Sequence, residues 1–237
     1  IFECQTFLAF EGEREIERIQ NMQEFVTSMN TKYVNQKAQL IPEIPELLSE
    51  KYIFDNFGAQ IQNGKYILGI SYNTVSPVFI EVLKNNMLAL SGKEESGKTN
   101  FIKYMIHAMQ TKISDIDIFI FDNYKKKLSS LKGMNVTYEI GAEQCKDVLL
   151  NFDFYLQNKY QRLIAGDDIG DDWKVLVLND EDLFTSISND KALLAIFKNI
   201  VGKYKMLNVF VILGGIPNAQ VVYGAPEIYK MVKESRN

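Results

Sequence analysis

Eight consecutive residues, Gly92-Lys93-Glu94-Glu95-Ser96-Gly97-Lys98-Thr99, carry the most specific chemistry in the sequence. They spell G-x-x-x-x-G-K-[ST], the pattern of a loop that wraps phosphate. Backbone N–H groups of such a tight loop, opening onto a helix N-terminus, point at one small volume and favour an anion there. Lys98 supplies a mobile positive charge for the outer phosphates, and the Thr99 hydroxyl supplies a ligand for Mg²⁺. Asn100 completes the expected nucleotide-binding set. Glu94 and Glu95 oppose it, because two like charges about 4 Å apart repel by on the order of 1 kcal/mol in water and by more when desolvated. ATP with Mg²⁺ is the implied cofactor, weakly held, and weak or no hydrolysis is expected of the isolated domain.

A second acidic signature lies downstream. Val175-Leu176-Val177-Leu178 reads as a short buried strand, and Asn179-Asp180-Glu181-Asp182 follows it. In phosphate-loop ATPases one acid after such a strand holds the Mg²⁺ shell and the next polarises the attacking water. Strict spacing puts Asn179 in the metal position and Asp180 in the base position. A slip of one residue gives those roles to Asp180 and Glu181, and the slipped register is the one preferred here. The last apolar run, Val209-Phe210-Val211-Ile212-Leu213, ends in Gly214-Gly215, which offer no side chain to a γ-phosphate; Asn218 is the nearest polar substitute. Arginines are few, at 14, 18, 162 and 236, and Arg162 is the candidate for a finger reaching a neighbouring subunit's nucleotide.

These groups need strands and helices to place them. Met87-Leu88-Ala89-Leu90 reads as the strand entering the phosphate loop, and Phe101, Ile102, Met105, Ile106 and Met109 recur at helical spacing after it. Residues 116–121 form a buried strand ending at Asp122. Helices are expected over 12–33, 143–164, 190–202 and 226–232, the third with an acid at its start and a glycine at its end. Residues 66–70 and 78–82 read as two strands around a turn at 73–77. Residues 1–10 read as an edge strand, and Ile41-Pro42-Glu43-Ile44-Pro45-Glu46 as an ordered connector, since each proline removes a donor and restrains its predecessor. Lys125-Lys126-Lys127 reads as a solvated loop, with a contact patch for an acidic partner as the alternative; the acidic stretch 166–172, which lacks calcium-loop spacing, reads as a solvated turn. His107 falls inside the phosphate-loop helix and reads as a packed or surface residue.

The 237 residues, 46% hydrophobic and 24% charged, suit one soluble α/β domain with an extension. The expected division is an N-terminal helix and strand extension over 1–80 and an ATPase core over 81–237. A net charge of −4 argues against a general nucleic-acid surface. Two cysteines, Cys4 and Cys145, make no disulfide framework. The chain opens on Ile1 in mid-pattern, as a domain cut from a longer chain does.

The strand, the phosphate loop and the Asn100-Phe101 that follow resemble the FtsK/SpoIIIE group of hexameric translocase ATPases. The upstream half, with Phe7-Leu8-Ala9-Phe10, the Ile-Pro-Glu repeat at 41–46, Tyr66-Ile67-Leu68-Gly69-Ile70 and Pro77-Val78, is similar to the ATPase modules of the type VII secretion coupling protein. The altered phosphate loop, which lacks that family's middle glycine, resembles its C-terminal, third module. The resemblance implies a RecA-like P-loop fold with a largely parallel sheet flanked by helices. It also implies a cytoplasmic domain of a membrane-anchored bacterial protein. Its partners would be secreted type VII substrate proteins, upstream ATPase modules of the same chain, and a homo-hexamer. A module degenerate in its nucleotide site, acting in substrate recognition or in regulation of export, is the leading functional expectation. An active motor assembled only in a hexamer and a DNA translocase are the alternatives.

Overall fold

The computed structural model describes residues 10–34, 43–216 and 226–234. Residues 1–9 of the expected edge strand, the first two positions of the proline connector and Asn218 lie outside them. The chain forms two compact units, Ile1–Glu43 and Ile44–Asn237. The first is built on helix α1 (Glu15–Lys32), where Glu17 accepts from the Glu13 and Arg14 N–H groups and the Tyr33 N–H closes the last turn on Met29. No residue of α1 is buried, so its apolar positions Ile16, Ile19, Val26 and Met29 are exposed.

The second unit starts with α2 (Glu50–Phe57), capped by the Ser49 hydroxyl on the Tyr52 N–H, and an antiparallel pair, β1 (Lys65–Ile70) with β2 (Pro77–Glu81). The remaining elements alternate: β3 (Met87–Ser91), α3 (Lys98–Lys112), β4 (Ile116–Asp122), β5 (Val136–Ile140), α4 (Ala142–Ala165), β6 (Trp173–Asn179), α5 (Glu181–Asn189), α6 (Lys191–Val201), β7 (Val209–Ile216) and α7 (Glu227–Glu234). Strands β3 to β7 form one sheet in the order β3-β7-β6-β4-β5, with every neighbouring pair parallel.

Period-two side-chain alternation in buried strands feeds two cores. Val175 and Val177 of β6 and Phe210 and Ile212 of β7 pack with Ile102, Met105 and Ile106 of α3 on one face. Leu176, Leu178, Val211 and Leu213 pack on the other face with Leu149 and Leu156 of α4, Phe184 of α5 and Phe197 of α6. This is the helix-flanked parallel sheet of the RecA-like class.

Ile53, Ile61, Tyr66 and Ile67 are buried in the same core as α3, and residues 44–80 fall in the second unit with it. The stretch 166–172 is not wholly a solvated turn. Asp172 accepts from Lys159, 2.6 Å away and buried, and pairs with Lys174 at 3.2 Å.

Candidate nucleotide site

In a parallel sheet every strand ends on the same edge, so the loops after β3, β4 and β6 and the end of β7 meet there. They line a cleft of about 680 Å³. The loop after β3 is the phosphate-loop motif. Gly97 has φ 87° and passes directly into α3, whose Phe101 N–H bonds the Gly97 carbonyl. A Cβ on Gly92 would lie 2.9 Å from the Ser96 hydroxyl, so the loop closes on itself as tightly as glycine permits. Glu95 has φ 60°, the left-handed region that costs a side-chain-bearing residue on the order of 1 kcal/mol. The Lys98 ammonium donates to the Gly92 carbonyl at 2.6 Å and the Lys93 carbonyl at 2.5 Å, over the cradle.

Eight of the nine expected loop residues, Gly92 and Glu94 to Asn100, line the cleft. Lys93 does not, and takes part through its carbonyl. Asp180 and Glu181 also line it. The structure brings Thr99, Asp180 and Glu181 to one cleft; Arg162 is elsewhere. It lies in the last turn of α4, which starts after the C-terminal end of β5 and finishes before the N-terminal end of β6, and it donates to the Asp168 carbonyl. That is the sheet edge opposite the cleft, about 20 Å away for a seven-residue strand.

Strand β6 ends on Asn179, which is buried, and its Nδ2 donates to the Asp122 carboxylate at 2.8 Å. Asp122, at the end of β4, is fully buried and accepts four hydrogen bonds. The others come from the Asn123 N–H (2.9 Å), the Leu128 N–H (2.7 Å) and the Tyr138 hydroxyl (2.8 Å). Burial raises the Tyr138 hydroxyl's pKa, and its bond to Asp122 adds to that. The Asn179 side chain also crosses β7: a Cβ on Gly214 would lie 2.3 Å from Asn179 Oδ1. The missing polar group after the last strand and the asparagine at the metal position are therefore one packing arrangement.

Asp180 begins α5 as its N-cap, accepting from the Asp182 N–H at 3.2 Å. Burial raises its carboxyl pKa, and Asp182, Asp122 and Glu181 raise it further against the pull of that N–H. Five carboxylates and three ammonium groups line the cleft. The ammonium groups are those of Lys98, Lys125 and Lys127, so the lysine run read as a solvated loop contributes two cleft residues. Lys125 pairs with Glu94 at 3.2 Å. That bond, and the charges of Lys125, Lys127 and Lys98, lower the Glu94 carboxyl's pKa.

The fit to nucleotide divides in two. The closed backbone cradle, the helix N-terminus and Lys98 match a phosphate chain. For Mg²⁺ the chain offers the Thr99 hydroxyl and the carboxylates at 180 and 181, enough for an ion that keeps waters and phosphate oxygens as its other ligands. No cluster of three or more metal-ligating side chains occurs among the described residues. Bound there, Mg²⁺ would neutralise charge on the outer phosphates. Sequence reasoning missed Asp122, Asn123 and Tyr124; an acid at the end of an apolar strand was the available signal for the first.

No protein-family model matches the chain. It is 24% identical over 140 residues, 58% of this chain and 9% of the relative, to the ESX secretion system protein YukB of Bacillus subtilis. It is 24% identical over 162 residues, 68% of this chain and 11% of the relative, to the ESX secretion system protein EccC of Geobacillus thermodenitrificans. The chain thus spans about a tenth of the length of these curated relatives. Among solved structures, EssC ATPases 2 and 3 from G. thermodenitrificans superpose with a TM-score of 0.70 at 21% identity, covering 95% of this chain and 43% of that one. The cytoplasmic domain of EssC gives 0.62 at 22% identity, covering 98% and 47%. Thermomonospora curvata EccC ATPases 2 and 3, solved with a signal sequence peptide, give 0.64 at 11%, covering 94% and 41%. The sequence relatives are type VII secretion ATPases, as the motifs suggested, and the structural neighbours share the P-loop ATPase fold.

Proposed function

We propose that this chain is one ATPase-like module of a type VII secretion ATPase, the third in order, holding nucleotide but hydrolysing it poorly, and acting in substrate recognition or in regulation of export. The observation that carries this reading is the pairing of a fully formed phosphate cradle with a strand end, Asn179, tied to Asp122 instead of presenting a carboxylate. An amide is a weaker Mg²⁺ ligand than a carboxylate. We place the metal role on Thr99 and Asp180 and keep Glu181 as the residue that would orient water; Asp180 is partly spent capping α5. Upstream modules of a longer chain, secreted substrate proteins and a homo-hexamer are the partners this reading supplies, and a membrane anchor would lie in another part of that chain. Among the described residues no helix is long and apolar enough to cross a membrane.

Asp180 and Glu181 both line the cleft, which supports a second reading, a motor that turns over once a neighbour completes its site. Steady-state hydrolysis at saturating Mg-ATP separates the two. The first reading expects at most weak turnover, in the free domain or in a forced hexamer. Robust turnover in the free domain that Lys98→Ala abolishes removes it, and robust turnover that appears only on assembly establishes the second.

A further inference from the structure

We propose that Lys125 and Lys127, on the loop joining β4 to β5, form a second basic arm of the cleft and bind the outermost phosphate of a nucleoside triphosphate. The inference rests on the cleft being the nucleotide site.

Three observations carry it. The cleft is overloaded with carboxylates, and these two lysines are the only ammonium groups lining it, among the described residues, besides Lys98. Lys98 is the one ammonium that the phosphate loop turns into the cleft, and a single cation leaves much of the charge on the outer phosphates to be met from another source. The end of β7, at the same sheet edge, has Gly214 and Gly215, which carry no side chain to contribute.

The arm is also held in place. The Asp122 carboxylate accepts from the N–H groups of both Asn123 and Leu128, tying the chain on either side of the lysine run to one buried point. Inside it, the Asn123 side chain accepts from the Lys125 N–H at 3.0 Å and donates to the Asn179 carbonyl at 3.2 Å. Leu128 is fully buried and anchors the exit. Lysines on a free surface loop sample a wide volume, whereas these project from a fixed turn, and such preorganisation lowers the entropy lost on binding. Glu94 already captures Lys125 at 3.2 Å, across the mouth of the cleft. A phosphate would compete for the same ammonium, so Glu94 acts as an internal placeholder. Lys126, the middle residue, does not line the cleft, and provides a control of equal charge.

The test is calorimetric titration of the 237-residue protein with Mg-ATP and Mg-ADP. The variants are Lys98→Ala, Lys126→Gln, Lys127→Gln, Lys125→Gln with Lys127→Gln, and Glu94→Gln. Thermal melts confirm that these substitutions leave the fold intact. The expected result is a loss of about ten-fold in Mg-ATP affinity for the double variant, the scale of one charge-assisted contact, with Mg-ADP changed by less than about three-fold. Lys126→Gln should alter neither by more than about two-fold, and Glu94→Gln should tighten Mg-ATP. Equal losses for ATP and ADP, parental affinity in the double variant, or a Lys126→Gln effect as large as the others overturns the inference while leaving the nucleotide site standing. Absence of Lys98-dependent binding in the parent overturns the nucleotide reading and this inference with it.

Discussion

Substituting Gly214 by alanine tests whether the altered site is a packing arrangement. The backbone there is not left-handed, so alanine fits its conformation, and the exchange alone should stabilise by about 0.5–1 kcal/mol through the unfolded chain. The new methyl, however, would stand 2.3 Å from Asn179 Oδ1 and 2.9 Å from Ile102 Cδ1. Ile102 yields through the far end of a side chain. Asn179 can yield only by releasing its 2.8 Å bond to Asp122, a bond to a charged acceptor worth about 1.5–3 kcal/mol. Residual crowding adds roughly 1 kcal/mol. The net expectation is a destabilisation of about 2–3 kcal/mol. In an Asn179→Ala background the main clash is gone, and the same substitution should cost less than about 1 kcal/mol, a coupling near 2 kcal/mol. Urea unfolding followed by the single tryptophan, Trp173, buried at the start of β6, reads this out as a midpoint shift of about 1 M that shrinks in the double variant. Equal penalties in both backgrounds would refute the reasoning, since Asn179 would then not occupy the space above Gly214.

Three further outcomes follow from the same geometry. Glu95→Gly exchanges left-handed strain for chain entropy, so stability should change little; loss of one like charge should tighten Mg-ATP several-fold by calorimetry, and weaker binding would count against the account. Asp172, lowered to about 2 against burial by Lys159, Tyr155 and Lys174, contributes stability above its unfolded pKa of 3.8 that is lost as pH falls through about 2. Urea midpoints between pH 5 and 2 should fall by the equivalent of about 2 kcal/mol from this group, and Asp172→Asn should flatten that slope. Asp190 accepts from the Ala192 and Leu193 N–H groups at the head of α6, so Asp190→Ala should lower the midpoint in the same urea assay, and an unchanged midpoint would count against the cap.

The phosphate loop, its strand and its helix were legible because glycine, lysine and threonine spacing is set by backbone geometry and leaves a mark in any sequence that adopts it. Buried parallel strands were legible as apolar runs. What escaped was local or long-range. Asp180-Glu181-Asp182 reads equally as catalytic acids and as the cap and first turn of a helix, and the first reading hid α5, although Leu183, Phe184 and Ile187 follow at helical spacing. Strand β5 is short, lies at the sheet's end among the described residues, and has only a modest apolar run, so its period is weak. Helix α2 spans two turns, too few for a clear stripe. The bond between Asp122 and Asn179 joins residues 57 apart, and no local pattern records it. The lysine run was legible as a charge cluster, but the bonds from either side of it to Asp122, which hold it at the cleft, leave no local pattern.

The central claim is that the cradle holds nucleotide despite the acids around it. Titration of the protein with Mg-ATP beside Lys98→Ala addresses that directly. The account predicts Kd at least about ten-fold tighter in the parent, a difference of about 1.4 kcal/mol. Heat that is absent from both proteins, or equal in both, would contradict it and leave the phosphate-loop fold as a scaffold.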